Sequence, residues 1–217
     1  MADKIAAELS KLDQSGGKTA GLNHVTKDMK SSANKEPTVQ PKSAPAPKAV
    51  EAPKKQVFAL QGNKWVVEGQ VTPQLIKADQ LTVKNTVYVY NCLQTTITIE
   101  GKCNTITIDG CKNVTVVFTD VLALCEVVNS KGIKLHVKGK SPSVAIDKTD
   151  GIVVHLSRET MHETKIVASK SSEMNVQFPG PKDDDAWTER VLPEQFTYHL
   201  TKEGKISTEV SELYTAG

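Results

Sequence analysis

Thr86–Phe118 reads TVYVYNCLQTTITIEGKCNTITIDGCKNVTVVF, and this stretch decides the fold. Val87 and Val89 return as Ile106 and Ile108, and Ile97 and Ile99 return as Val116 and Phe118, each 19 residues later. Followed along the chain, the pattern becomes four apolar rows. The first is Val87, Ile106, Cys125, Val144, Ile166, with Val89, Ile108, Val127, Ile146, Ala168 two residues further on. The second is Ile97, Val116, Leu135, Val154, Val176, accompanied by Ile99, Phe118, Val137, Leu156, Phe178. Every row steps by 19, 19, 19 and then 22, so three residues are inserted between Leu156 and Ile166.

A fixed period of this size marks a solenoid, because one unit cannot bury its apolar face without stacking on the next. The apolar pairs sit at i and i+2, which is strand spacing. Residues between them are mostly polar: Tyr88, Thr107, Glu126, Ala145, Val167 in one file and Thr98, Val117, His136, His155, Gln177 in the other. β-branched residues dominate and no helical stripe persists, so the prediction is an all-β chain built on a compact parallel β-helix over about 84–178.

Outward from the coil, residues 57–83 read as an N-terminal cap, with Phe58, Leu60, Trp65 and Val67 alternating about a Gly62-Asn63 turn. Phe196, Tyr198 and Leu200, then Lys202-Glu203-Gly204-Lys205, then Ile206, Thr208 and Val210 predict a β-hairpin that protects the solenoid's terminal edge. Residues 32–56 carry Pro37, Pro41, Pro45, Pro47 and Pro53 among Lys, Ala and Ser, which predicts a disordered linker. No two of these prolines are three apart, so the PxxP signature is absent. In residues 1–31, Ile5, Leu9 and Leu12 share one face of a short amphipathic helix ended by Gly16-Gly17, followed by an extended Leu22-Asn23-His24-Val25. Three domains are therefore expected: 1–31, 32–56 and 57–217.

The 27 basic and 25 acidic residues give a net charge of +2, and no strongly basic, aromatic-bearing face of a nucleic-acid binder is visible. No apolar run is long enough to span a bilayer, and no signal-peptide core follows Met1. The four cysteines lack CxxC spacing and fall in the repeat, so reduced thiols are expected, with Cys92 and Cys111 stacked at a turn and Cys125 in the core. His136 and His155 stand one period apart, but no third ligand follows in that file, so they read as a packed or solvated pair and no metal is expected. No carboxylate pair recurs on one face, and no P-loop, GxGxxG or GxSxG occurs; an enzyme is not expected. The corners Asn129-Ser130-Lys131-Gly132, Lys148-Thr149-Asp150-Gly151 and Lys170-Ser171-Ser172-Glu173 align in the repeat. They predict a polar, Lys-bearing ridge, although Gly, Asn, Asp and Ser also suit ordinary corners.

These residues carry a resemblance. KSSEMN (Lys170–Asn175), DKTDG (Asp147–Gly151), GNKW (Gly62–Trp65) and VLPEQF (Val191–Phe196) resemble, in order, the C-terminal domain of cyclase-associated proteins. The first 31 residues resemble a WASP-homology-2 motif. The resemblance implies a cytoplasmic protein of the actin cytoskeleton that needs no cofactor, binds monomeric actin with a preference for the ADP form, and speeds ADP-to-ATP exchange so that monomers are recycled. Carried onto this chain, Ile5, Leu9 and Leu12 become apolar anchors, with Leu22 and Val25 holding the extended segment. Lys148, Thr149, Asp150, Lys170, Ser171, Ser172, Glu173, Met174 and Asn175 become the β-domain contact, Thr215, Ala216 and Gly217 a tail that approaches actin, and 196–210 the homodimer hairpin. Longer family members add an N-terminal oligomerising segment and a helical domain that binds cofilin-decorated actin; this sequence is expected to lack both. The rival reading is a GTPase-activating β-helix similar to tubulin cofactor C. It needs a placed arginine, and neither Arg158 nor Arg190 lies on a regular repeat face or in a Gln-x-Arg context.

Overall fold

The computed structural model describes residues 55–182 and 185–212; residues 1–54, and with them the predicted amphipathic segment and most of the linker, lie outside the described residues. Among the described residues, fourteen strands and one short 3-10 turn, Ala78–Gln80, make up the regular structure. The coil opens with β1 (Val57–Gln61), paired antiparallel to β2 (Lys64–Glu68) through the predicted Gly62-Asn63 turn. Each later step across the coil is parallel. β3 (Gln74–Ile76), β4 (Thr86–Tyr90), β5 (Thr96–Asp109), β6 (Thr115–Val128), β7 (Lys131–Val137), β8 (Ser143–Asp147), β9 (Asp150–Leu156), β10 (Lys165–Ser169) and β11 (Ser172–Phe178) stack on one another in two faces.

The register reproduces the rows read from sequence. Val87 pairs with Ile106, Ile106 with Cys125, Cys125 with Val144, and Val144 with Ile166. Ile97 pairs with Val116, then Leu135, Val154 and Val176. Side chains at these positions are buried through β9, Ile106, Val116, Leu135 and Val154 being wholly inaccessible. Large-to-small changes there cost about 2–5 kcal/mol, since a coil of fixed pitch cannot collapse around a void.

Residues 57–83 are more than the cap expected for them. β2 and β3 pair parallel with β4 and β5, Trp65 opposite Val87 and Ile76 opposite Ile99, so they form a full first turn and only β1 caps it. Trp65 anchors this turn by donating from Nε1 to the Gln80 carbonyl at 3.1 Å.

The two edges of the coil differ. On one, β5 and β6 run through without interruption, bent by bulges near Lys102 and Cys103. On the other, each turn closes in a tight corner. The insertion after Leu156 is a helical-type loop tied down by Thr160, whose hydroxyl lies 2.6 Å from that of Thr164.

At the C-terminal end β12 (Thr188–Val191) pairs antiparallel with β11 and closes one face. β13 (Phe196–Leu200) and β14 (Ile206–Val210) form the predicted hairpin as a separate two-stranded sheet. Nothing among the described residues pairs with the outer edge of β10, where Val167 and Ala168 are exposed.

Candidate functional site

The corners repeat a four-residue plan. The first residue has a left-handed backbone: Asn91, Gly110, Asn129, Lys148 and Lys170, at φ between 46° and 62°. The second points inward: Cys92, Cys111, Ser130, Thr149, Ser171. The third points outward at Lys112, Lys131, Asp150 and Ser172, whereas Leu93 in the first corner is buried. The fourth is left-handed again: Gln94, Asn113, Gly132, Gly151 and Glu173, at φ between 48° and 76°. Gly and Asn suit this region, whereas other residues meet a steric cost of about 1–2 kcal/mol in it. The early corners mostly use residues that suit it. The last two place Lys148, Lys170 and Glu173 there, so unfavourable backbone is concentrated in the DKTDG and KSSEMN segments. Strain of this kind gathers at functional positions.

Inward side chains hold each corner to the next. The Ser130 hydroxyl accepts from the Cys111 amide at 3.1 Å, and the Ser171 hydroxyl accepts from the Thr149 amide at 3.1 Å. Cys92 and Cys111 are buried free thiols one turn apart, as their spacing predicted. The neighbouring Cys92 sulfur and burial push the Cys111 thiol well up, and burial pushes Cys103 up to about 11.

Outward residues form the ridge. Lys131 Nζ donates to Asp150 Oδ2 at 2.5 Å, and Ser172 Oγ donates to Asp150 Oδ1 at 2.7 Å, linking three successive turns. The Asp150 carboxylate raises the Lys131 pKa through that bond, and the Lys131 and Ser172 donors hold the Asp150 carboxyl below its ordinary value. Lys148 and Lys170 stand exposed one turn apart beside it, with Glu173 exposed at the far end.

Of the predicted β-domain residues, Lys148, Asp150, Lys170, Ser172 and Glu173 come together on this edge. Thr149 and Met174 do not reach the surface: they are 1% and 2% exposed, and they support the corner from inside. Ser171 is turned into the corner bonds, and Asn175 lies on a broad face, donating to Glu189 at 2.7 Å. Ile5, Leu9, Leu12, Leu22, Val25, Thr215, Ala216 and Gly217 lie outside the described residues. Two participants were not among the predicted contact residues, although the aligned corners had placed Lys131 on the ridge. Lys131 had a signal, one period before Asp150; Glu194, whose carboxylate accepts from the Glu173 amide, follows no repeat.

A second feature lies on the other face. The His136 and His155 rings stack at 3.9 Å with planes 3° apart, and Trp187 meets His155 edge-on at 6.1 Å, beside a cleft of about 610 Å3. Parallel stacked rings do not converge their nitrogens on one point, so this is a packed pair and not a chelate. Arg158 lines the same cleft and donates to the Gly180 and Pro181 carbonyls at 2.9 and 3.1 Å, bracing the loop after β11. Among the described residues no cluster of three His, Cys, Asp or Glu side chains is placed to hold a metal, and no helix is long and apolar enough to cross a membrane.

A short parallel β-helix closed by an antiparallel strand at each end, carrying a charged corner ridge and a free-standing hairpin, is the class of protein these features define. The family model described as adenylate cyclase associated (CAP) C terminal matches residues 54–213. The chain is 42% identical over 207 residues to the adenylyl cyclase-associated protein of Dictyostelium discoideum, covering 94% of this chain and 44% of that one. It is 38% identical over 205 residues to cyclase-associated protein 1 of Arabidopsis thaliana (89% and 42%), and 37% over 221 residues to human adenylyl cyclase-associated protein 1 (94% and 45%). The crystal structure of a cyclase-associated protein from Cryptosporidium parvum superimposes with a TM-score of 0.68 at 30% identity, covering 75% of this chain and 99% of that one. The chain belongs to the cyclase-associated protein family, and it spans about half the length of the curated relatives it matches.

Proposed function

We infer that this chain binds monomeric actin, preferring the ADP-loaded form, and accelerates exchange of ADP for ATP so that monomers return to assembly in the cytoplasm. The observation that carries this reading is the ridge. A family member keeps Lys148, Lys170 and Glu173 in a backbone conformation that disfavours them, side by side on one exposed edge, where Gly or Asn would serve the fold better. Exchange follows if the ridge binds a nucleotide-open conformation of actin more tightly than the closed one, since only differential affinity shifts such an equilibrium. The 1–31 segment, read as a WASP-homology-2 motif, supplies a second contact. Joining that contact to the ridge in one chain raises its effective concentration.

The same reading makes the protein a homodimer through its hairpin. Tyr198, Leu200 and Ile206 are 65%, 75% and 64% exposed, and an isolated two-stranded hairpin is marginal in water. A gap of about 390 Å3 lined by Ile166, Ala168, Met174, Leu192 and Phe196 lies under the uncovered last turn. The hairpin of a second copy has the strand edge and apolar side chains that this end lacks.

Lys170→Ala with Glu173→Ala is expected to leave folding intact and to reduce the acceleration of exchange roughly fivefold or more, the size of an ordinary coupling energy. Full exchange by that variant moves the active surface elsewhere. Leu9→Ala with Leu12→Ala is expected to weaken monomer binding while leaving the ridge unchanged.

A further inference from the structure

In the first two corners of the coil, the corner is completed by the turn that follows. The left-handed Gln94 amide donates to the Lys112 carbonyl at 2.9 Å, and the left-handed Asn113 amide to the Lys131 carbonyl at 2.8 Å. Glu173 holds the equivalent place in the last corner, at φ 52°, and among the described residues no further turn supplies a carbonyl. Its amide is taken instead by the carboxylate of Glu194. Two residues earlier, the Leu192 amide donates to the Met174 carbonyl at 2.8 Å, so the segment leaving β12 is pinned directly against the corner. Two residues later β13 begins at Phe196.

We propose that Glu194 is a positioning residue for the ridge: its carboxylate replaces the missing next turn, holds Glu173 and its Lys170 neighbour in the left-handed corner, and ties the dimer hairpin to the actin-facing edge. The physical need is clear. A left-handed Glu is disfavoured by its Cβ, so the conformation persists only where neighbouring bonds enforce it. A carboxylate is a stronger acceptor for an amide than the carbonyl it replaces. The link also gives the hairpin a route to the ridge, because displacement of Phe196 moves Glu194 through a single intervening residue.

The functional half of this proposal rests on the ridge being the actin contact, so the test has two readouts on the full chain. The first is the amide resonance of Glu173 and its rate of hydrogen exchange, in the parent, in Glu194→Ala and in Glu194→Gln. The second is nucleotide release from ADP-actin monomers. Glu194→Ala is expected to free the Glu173 amide and to slow actin nucleotide exchange roughly three- to tenfold, as the competent corner becomes a minor conformer. Glu194→Gln keeps an acceptor oxygen at the same reach, so it is expected to restore the amide and most of the rate, which a loss of bulk packing does not predict. An unchanged Glu173 amide in Glu194→Ala overturns the proposal. So does a freed amide with unchanged exchange, when Lys170→Ala with Glu173→Ala does slow it. If neither variant alters exchange, the ridge is not the contact, and the amide alone decides whether Glu194 positions the corner.

Discussion

At the scale of single residues, the corners separate what the fold needs from what it tolerates. Gly132 is left-handed at φ 65°, and a Cβ there would collide with the Asn113 side-chain amide. Gly132→Ala is expected to destabilise the protein by about 2 kcal/mol in urea unfolding, from strained backbone and displacement of Asn113 together. Lys170 is left-handed as well, with its side chain in solvent. Lys170→Gly relieves its backbone and is expected to raise stability by up to about 1 kcal/mol while slowing actin nucleotide exchange. A loss of stability in that variant contradicts the view that this lysine is kept for binding. The alternation of Gly and Asn at the early corners was visible in the sequence as turn chemistry. The left-handed state of Lys148, Lys170 and Glu173 was not, because their side chains favour no such conformation, and only tertiary contacts enforce it.

At the scale of the elements, the stacked histidines carry a pH dependence between about pH 7 and pH 5. His136 and His155 are both held below their ordinary pKa. Burial is the first cause for each; Lys134 and Lys138 add to it at His136. At His155 the stacked ring and Lys134 add to it, and Glu189 opposes it in part. Above about pH 6.5 both rings are neutral in folded and unfolded chains, and the stack adds no pH dependence. Below that value the unfolded chain takes up protons that the stack resists, so stability falls as pH drops through the folded pKa values. Melting temperatures from about pH 7 to pH 5 are expected to decline less steeply in His136→Gln with His155→Gln than in the parent; an unchanged slope contradicts the neutral stack. The strands themselves were legible where the period held. β4 to β11 fall on rows of Val, Ile and Leu with regular spacing. The first turn was read as a cap because its partners are offset by 22 residues at Trp65 and by 23 at Gln74, and because Gln74 places a polar group in an apolar row. That amide is accommodated by its bond to Gln70 at 2.9 Å, a contact no periodicity reveals.

At the scale of the whole molecule, the two ends of the coil differ. Trp65, Val67 and Ile76 are buried at the start, whereas Val167 and Ala168 are exposed at the finish and the hairpin stands apart with apolar side chains in solvent. Substituting Leu200→Asp with Ile206→Asp is expected to convert a dimer to a monomer, read as a halved mass in light scattering, with the coil still folded by circular dichroism. A parent protein that is monomeric at micromolar concentration contradicts that assignment. Sequence alone gave the hairpin strands to the residue, since turn chemistry and alternation are local. It did not connect the hairpin with the ridge, because the Glu194 contact joins residues 21 apart in sequence through a carboxylate that belongs to neither repeat nor hairpin.

Acceleration of nucleotide exchange on monomeric actin is the proposed activity on which the other exchange predictions depend. The direct measurement is release of a fluorescent nucleotide analogue from ADP-loaded and ATP-loaded actin monomers with increasing amounts of the full chain. The account predicts faster release from ADP-actin, saturating with protein and reduced by Lys170→Ala with Glu173→Ala. Release that is unchanged or slowed while the protein is bound contradicts it and leaves a monomer-sequestering protein in its place.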